Sequence, residues 1–200
     1  MLTPSPSFIA ARTTEVELGD GAALRLRPVV PADRTLFMAA FESLSAESRY
    51  RRFFSPLQDL SDTTLDYLTR IDYRDHFAWV ALDGPADAEH LVGVARYVRL
   101  DDPTTAEAAV TVSDPYQGRG LGHLLLAALV DEARQHGITC FKGDVLAENE
   151  AMQSVLERAG AQFALSEAGV IRFELDLPAA IDRQVVIDPS PGAGTPPTRP

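Results

Sequence analysis

The stretch Val112–Val130, "VSDPYQGRGLGHLLLAALV", sets Gly118, Gly120 and Gly122 beside Arg119 and runs straight into an apolar segment of helical pattern. Flexible residues stand where a stable helix must begin, and the usual physical reason is an anion. The first amides of a helix have no carbonyl of their own to bond, and glycines let backbone approach a charged ligand closely. A P-loop needs Lys and then Ser or Thr after its last glycine, whereas His123 and Leu124 follow Gly122. A dinucleotide fingerprint needs G-x-G-x-x-G, and the chain has G-x-G-x-G. What fits is Gln117-x-x-Gly120-x-Gly122 after a strand and at the start of a helix. There the amides of residues 118–123 would cradle an anion, the helix dipole favours its charge, and Arg119 adds a cation. A glycine-rich connection without ligand is the bland alternative.

Outward from this loop, strands and helices alternate. Residues 106–113 read as the strand that feeds it, and 120–136 as the helix that leaves it, closed by Gly137. Upstream, 22–29 alternates as a strand, 31–44 carries apolar residues at helical spacing behind Pro31, and 61–71 is a helix capped by Ser61. Residues 76–82 and 91–100 are strands. Downstream come a strand at 139–147, a helix at 149–160 with Asn149 as cap and Gly160 as stop, and two strands around a Glu167–Gly169 turn. The order predicts one mixed α/β (α+β) sheet with helices packed on it. Residues 1–22 are expected to be a flexible leader, 23–180 the domain, and 187–200 a disordered Pro- and Gly-rich tail that cannot bury enough surface to order itself.

The formal charge of -11, from 29 acidic residues against 18 Lys and Arg, argues against nucleic acid, whose binding rests on a basic surface. The single Cys140 allows no internal disulfide, fits a reducing cytoplasm, and reads as a small buried hydrophobe in a strand. No stretch approaches the roughly 20 apolar residues of a membrane span. The start lacks a secretory pattern, so a soluble cytoplasmic protein without membrane partner is expected.

With Gln117-x-x-Gly120-x-Gly122 and the later Asn149…Gly160 spacing, the sequence resembles the GNAT superfamily of N-acyltransferases. "RLRPVVPADR", "YRRFFS", "IDYRDHFAWV" and "DPTTAEAAVTVSDPYQGRGLG" look closest to the acetyltransferase domain of actinobacterial protein lysine acetyltransferases. The resemblance implies the GNAT fold, a single mixed and mostly antiparallel sheet flanked by helices. It also implies acetyl-CoA as co-substrate without metal, and a protein lysine or small amine as acceptor; the assembly is expected to be a monomer or homodimer. Cofactor contacts fall on Val112, Gln117, Gly118, Arg119, Gly120, Leu121, Gly122, His123 and Asn149. In that subgroup a cyclic-nucleotide-binding domain precedes the transferase. About 22 residues precede it here, so that control is expected to be absent.

Amine acetylation needs a neutral amine, a donor for the developing oxyanion and a positioned thioester. A lysine ammonium has a reference pKa of about 10.4, so a base must take a proton. Glu107, on the strand that feeds the loop, matches the glutamate that lysine acetyltransferases of the superfamily place there. Its apolar neighbours Ala106, Ala108, Ala109 and Val110 are expected to desolvate it, and the alternative is a solvated edge carboxylate. The backbone N–H near Val112 matches the family's thioester-carbonyl donor. Leu156 stands where many members carry a tyrosine general acid, so no acid is assigned. His76 is a candidate proton relay or a packed residue, and Tyr50 lies where the family covers the acceptor. A small-amine transferase and a silent acyl-CoA sensor stay open beside the protein lysine reading.

Overall fold

The computed structural model describes residues 4–55, 58–165 and 169–177. Eight strands among them form one sheet in the order β1-β2-β3-β4-β5-β6-β8-β7. They are β1 (Thr14–Glu17), β2 (Ala23–Pro28), β3 (His76–Asp83), β4 (His90–Arg99), β5 (Thr105–Val112), β6 (Cys140–Leu146), β7 (Gln162–Leu165) and β8 (Val170–Asp176). Every neighbouring pair is antiparallel except β5 and β6. The expected mixed, mostly antiparallel sheet is therefore present.

Helices α2 (Arg34–Ser43), α3 (Ala46–Phe53) and α4 (Asp62–Thr69) precede the central strands; α5 (Leu121–Gln135) follows β5 and α6 (Glu150–Arg158) follows β6. Leu121, Leu125 and Leu129 of α5 are fully buried, as α5's stripe at helical spacing requires. Trp79 of β3 donates its indole N–H to the Ala128 carbonyl at 3.1 Å, which fixes α5 on that face of the sheet. On the other face Phe37 and Phe41 of α2 and Leu65 and Leu68 of α4 enter the core.

Three expectations need correction. The leader contains regular structure: α1 spans Pro6–Arg12 and β1 follows it. Pro, Ser and Thr, which suggest disorder by composition, here build a helix start. Ser5 caps the Phe8 amide at 3.1 Å and Pro6 occupies the first turn. Phe8 then packs edge-on to Tyr73 at 5.3 Å, and Arg12 reaches buried Glu132 of α5 at 3.1 Å. Second, residues 46–53 form a helix of their own, capped by Ser45 and stopped at Phe54, whose φ of 52° is left-handed. Third, the first turn of the expected 31–44 helix is a 3-10 turn, Pro31–Asp33. Buried Asp33 there takes a bidentate bond from Arg27 at 2.7 and 2.8 Å and caps the Val30 amide. The tail and most of the 167–169 turn lie outside the described residues.

Among the described residues no helix is long and apolar enough to cross a membrane, and no group of three His, Cys, Asp or Glu side chains is placed to hold a metal.

Candidate active site

The parallel pair shapes the site. β5 and β6 pair only at Thr105–Cys140, Ala106–Phe141 and Glu107–Lys142, and then part, while β5 continues to Val112 and β6 to Leu146. Gly143 follows the last paired residue. A Cβ there would lie 2.6 Å from the Phe173 ring and 2.9 Å from the Ala108 carbonyl oxygen, so only glycine lets the ring seat at the fork. Beyond the fork lies a cleft of about 320 Å³.

The glycine loop closes one end of that cleft. Gly118 and Gly120 adopt φ of 71° and 88°, left-handed values that side chains disfavour, and Gly120 is the N-cap of α5. The first bond of α5 runs from the Leu124 amide to the Gly120 carbonyl at 3.1 Å, so the amides before it have no helical carbonyl to reach. Gln117, Gly118, Gly120, Gly122 and His123 all line the cleft, as do Val112 and, from across the fork, Asn149. Asn149 caps α6 by accepting from the Met152 amide at 3.2 Å. The Gln117 amide nitrogen donates to the Val112 carbonyl at 3.1 Å, tying the loop back to its strand.

Two expected cofactor residues sit differently. Arg119 turns away from the cleft; its Nε lies 2.5 Å from Asp20 in the β1–β2 turn, and its guanidinium stacks over Tyr116 at 4.7 Å. The Leu121 side chain is buried in the core, which leaves only its backbone to the loop. The cations at the cleft come instead from Arg51 and Arg52 of α3 and Arg158 of α6. The sequence signal for the first two is the run "RYRR" (49–52), whose Arg51 and Arg52 fall in the last turn of α3. Arg51 Nε and His123 Nδ1 are buried without a hydrogen-bond partner among the described residues, and both residues face this cleft. Arginines gathered this way, in a chain of charge -11, match an anionic ligand.

α3 is docked to the loop by Asp114. Its carboxylate accepts from the Ser45 amide at 2.8 Å and the Ser48 hydroxyl at 2.5 Å. Burial pushes the Asp114 carboxyl up, but those bonds outweigh it and hold it below the ordinary carboxylate value.

Nearer the start of β5, Glu107 and Ala109 line a hollow of about 190 Å³ walled by Tyr67 and Leu68 of α4 and by Arg96 of β4. Arg52 belongs to this hollow and to the cleft alike. Glu107 is exposed, and the expected desolvation is not found. Ala106 and Ala108 alternate into the core on the far face, and Val110 lines the cleft. Arg96 is 3% exposed and bonded to the Leu68 carbonyl at 2.7 Å. Burial and repulsion from Arg52 push it down to about 9. His76 packs on Arg96 and on the Tyr67 ring, 4.9 Å away. Burial and Arg96 push His76 down to about 4, so it is neutral at pH 7 and packed outside both cavities. Tyr50 is exposed on α3 and lines neither. Leu156, 2% exposed, is core, and presents no acid to the cleft.

The chain is similar to known proteins in sequence and in fold. A family profile described as Acetyltransferase (GNAT) family matches residues 39–161. Acetyltransferase Pat of Mycolicibacterium smegmatis is 38% identical over 173 residues, 86% of this chain and 50% of the relative, so the chain spans about half that relative's length. The crystal structure of the GNAT domain of S. lividans PAT superposes with a TM-score of 0.75 at 33% identity, covering 82% of this chain and 97% of that one. A cAMP-binding acyltransferase from Mycobacterium smegmatis superposes with a TM-score of 0.63 at 34% identity, covering 92% of this chain and 51% of the other. The family profile, the identity to a relative over most of the chain and the superposition agree, and the chain belongs to the acetyltransferase (GNAT) family.

Proposed function

We propose that the protein transfers an acetyl group from acetyl-CoA to a primary amine, and that the amine is a protein lysine. The observation that carries the reading is that Arg52 lines the loop cleft and the Glu107 hollow alike. The cleft takes Val110, Thr111 and Val112 of β5 and the hollow takes Glu107 and Ala109 just before them, so a thioester held in the cleft would have a base one step back along the same strand.

The loop amides of residues 118–123, with Arg51 and Arg158, would hold the pyrophosphate; Val110, Val112 and Val155 offer an apolar wall for the thinner arm. Bound acetyl-CoA supplies an activated acyl carbon on a good leaving group. Glu107 takes the proton from the incoming ammonium, directly or through water, since its exposed carboxylate stays in contact with solvent. The Val112 N–H is the donor for the developing oxyanion. With Leu156 buried, the departing thiolate takes its proton from water; thiols ionise at about 8.5 and leave readily. The lysine acceptor is taken from the resemblance to protein lysine acetyltransferases, and kinship with an acetyltransferase supports the acetyl transfer.

Calorimetric titration with acetyl-CoA, followed by free-thiol release with a lysine protein and with small amines, tests this. Micromolar binding and release for the protein acceptor support it. Release with small amines alone transfers the proposal to that acceptor class. Binding without release for any amine makes the protein a sensor.

A further inference from the structure

Of the 18 lysine and arginine residues in the chain, one alone is a lysine, Lys142. It stands on β6 in parallel register with Glu107, at the last rung before the strands part. Register partners on neighbouring strands project to the same face about 5 Å apart, so the chain's single side-chain amine emerges next to the candidate base. The Lys142 side chain is 43% exposed, and its Nζ lies 3.5 Å from Glu174 Oε2, on a side chain 56% exposed. An exposed pair of this kind restrains an ammonium weakly, and the four-carbon stem of lysine is free to turn toward the fork.

We infer that Lys142 is an acetyl acceptor of the protein itself, modified in cis at the fork beside Glu107. The inference rests on the acetyl-transfer reading above. The Lys142 ammonium gives one proton to the Glu107 carboxylate, directly or through water. The neutral Nζ adds to the thioester carbonyl carbon; the new C–N bond forms as the C–S bond breaks. Coenzyme A leaves as thiolate and takes up the second proton, which the nitrogen sheds as the amide forms, while Glu107 returns the first to solvent. Amine and thioester become amide and thiol, with no change of oxidation state. The product has lost the charge that faced Glu174.

The test uses the full chain incubated with acetyl-CoA and no added acceptor, followed by intact mass and peptide mapping. One acetyl adduct is expected, on the peptide that holds Lys142, at a rate unchanged when the protein is diluted. Lys142→Arg should lack that adduct and still acetylate an external lysine peptide, while Glu107→Gln should lose both. Acetylation of the external peptide with Lys142 left unmodified overturns the inference and leaves the transferase reading standing. So does an adduct on the terminal amine alone, or one that forms equally fast in Glu107→Gln, which is direct chemistry of the thioester. A rate that rises with protein concentration overturns the cis geometry. If acetyl-CoA binds and neither Lys142 nor any external amine is modified, the transferase reading fails and this inference fails with it.

Discussion

Arg119, the cation inside the glycine loop, is held by Asp20, 99 residues earlier, with Nε 2.5 Å from the carboxylate. The pair clamps the loop to the β1–β2 turn, and Asp20 is held below the ordinary carboxylate value first by that bond and then by the Ala22 amide. Asp20 is exposed and Arg119 partly so, which makes the clamp a weak one. Asp20→Ala should raise the dissociation constant for acetyl-CoA by about two- to fivefold, and more at low salt than at high salt. Arg119→Ala should do the same, and the double variant should add little to either. A much larger loss for Arg119→Ala alone would mean that its guanidinium reaches the phosphates directly. Calorimetry at two ionic strengths reads all three.

Gly143 keeps the fork open because nothing larger fits between the Phe173 ring and the Ala108 carbonyl. Gly143→Ala pushes a methyl group into a buried ring, an overpacking that should cost about 1–3 kcal/mol in chemical denaturation. Gly143→Ala combined with Phe173→Leu should recover part of that loss, since the smaller side chain vacates the space the methyl needs. If the single variant is as stable as the parent, the ring is not fixed at the fork.

The loop, α5 and the Asn149 cap are legible in sequence because each is a local pattern. Glycines precede an apolar run of helical spacing, and a capping side chain bonds an amide three residues on. What sequence hides depends on distant partners. α1 has seven residues, too short to hold by propensity, and is secured by Tyr73 and by Glu132, 120 residues from Arg12. The direction of Arg119 is set by Asp20, and Glu107's lack of shielding by which face of β5 its register gives it. The parting of β5 and β6 is hidden too, because it depends on where a ring from β8 meets Gly143.

His76 gives the protein a pH dependence. Its imidazole is pushed down from 6.5 to about 4 by burial first and by Arg96 second, with Asp72 opposing. The unfolded chain therefore binds this proton more readily than the folded one. The stability conferred by a neutral His76 is complete above about pH 6.5 and falls as pH drops toward 4, by about 3 kcal/mol over that window. His76→Gln should lower stability at neutral pH and flatten the decline between pH 6.5 and 4. Urea denaturation at several pH values measures the slope; an unchanged slope in the variant would place the titrating group elsewhere.

Glu107 is exposed on β5, and its substitution should leave the fold and the loop cleft unaltered. Glu107→Gln keeps the shape and removes the base. Turnover with a lysine acceptor near neutral pH should fall about 10²–10⁴-fold, the usual range for a lost general base. The dissociation constant for acetyl-CoA should stay within about twofold, because the groups facing the ligand lie past the fork. Raising the pH makes more of the acceptor amine neutral without help, so the gap between the variant and the parent should narrow as pH approaches the amine's own value of about 10.4. A deficit that is the same at every pH would assign Glu107 to placing the acceptor and not to taking its proton. Equal turnover in the two proteins would remove it from the reaction, and Glu107 would then be a solvated edge carboxylate beside the chain's one lysine.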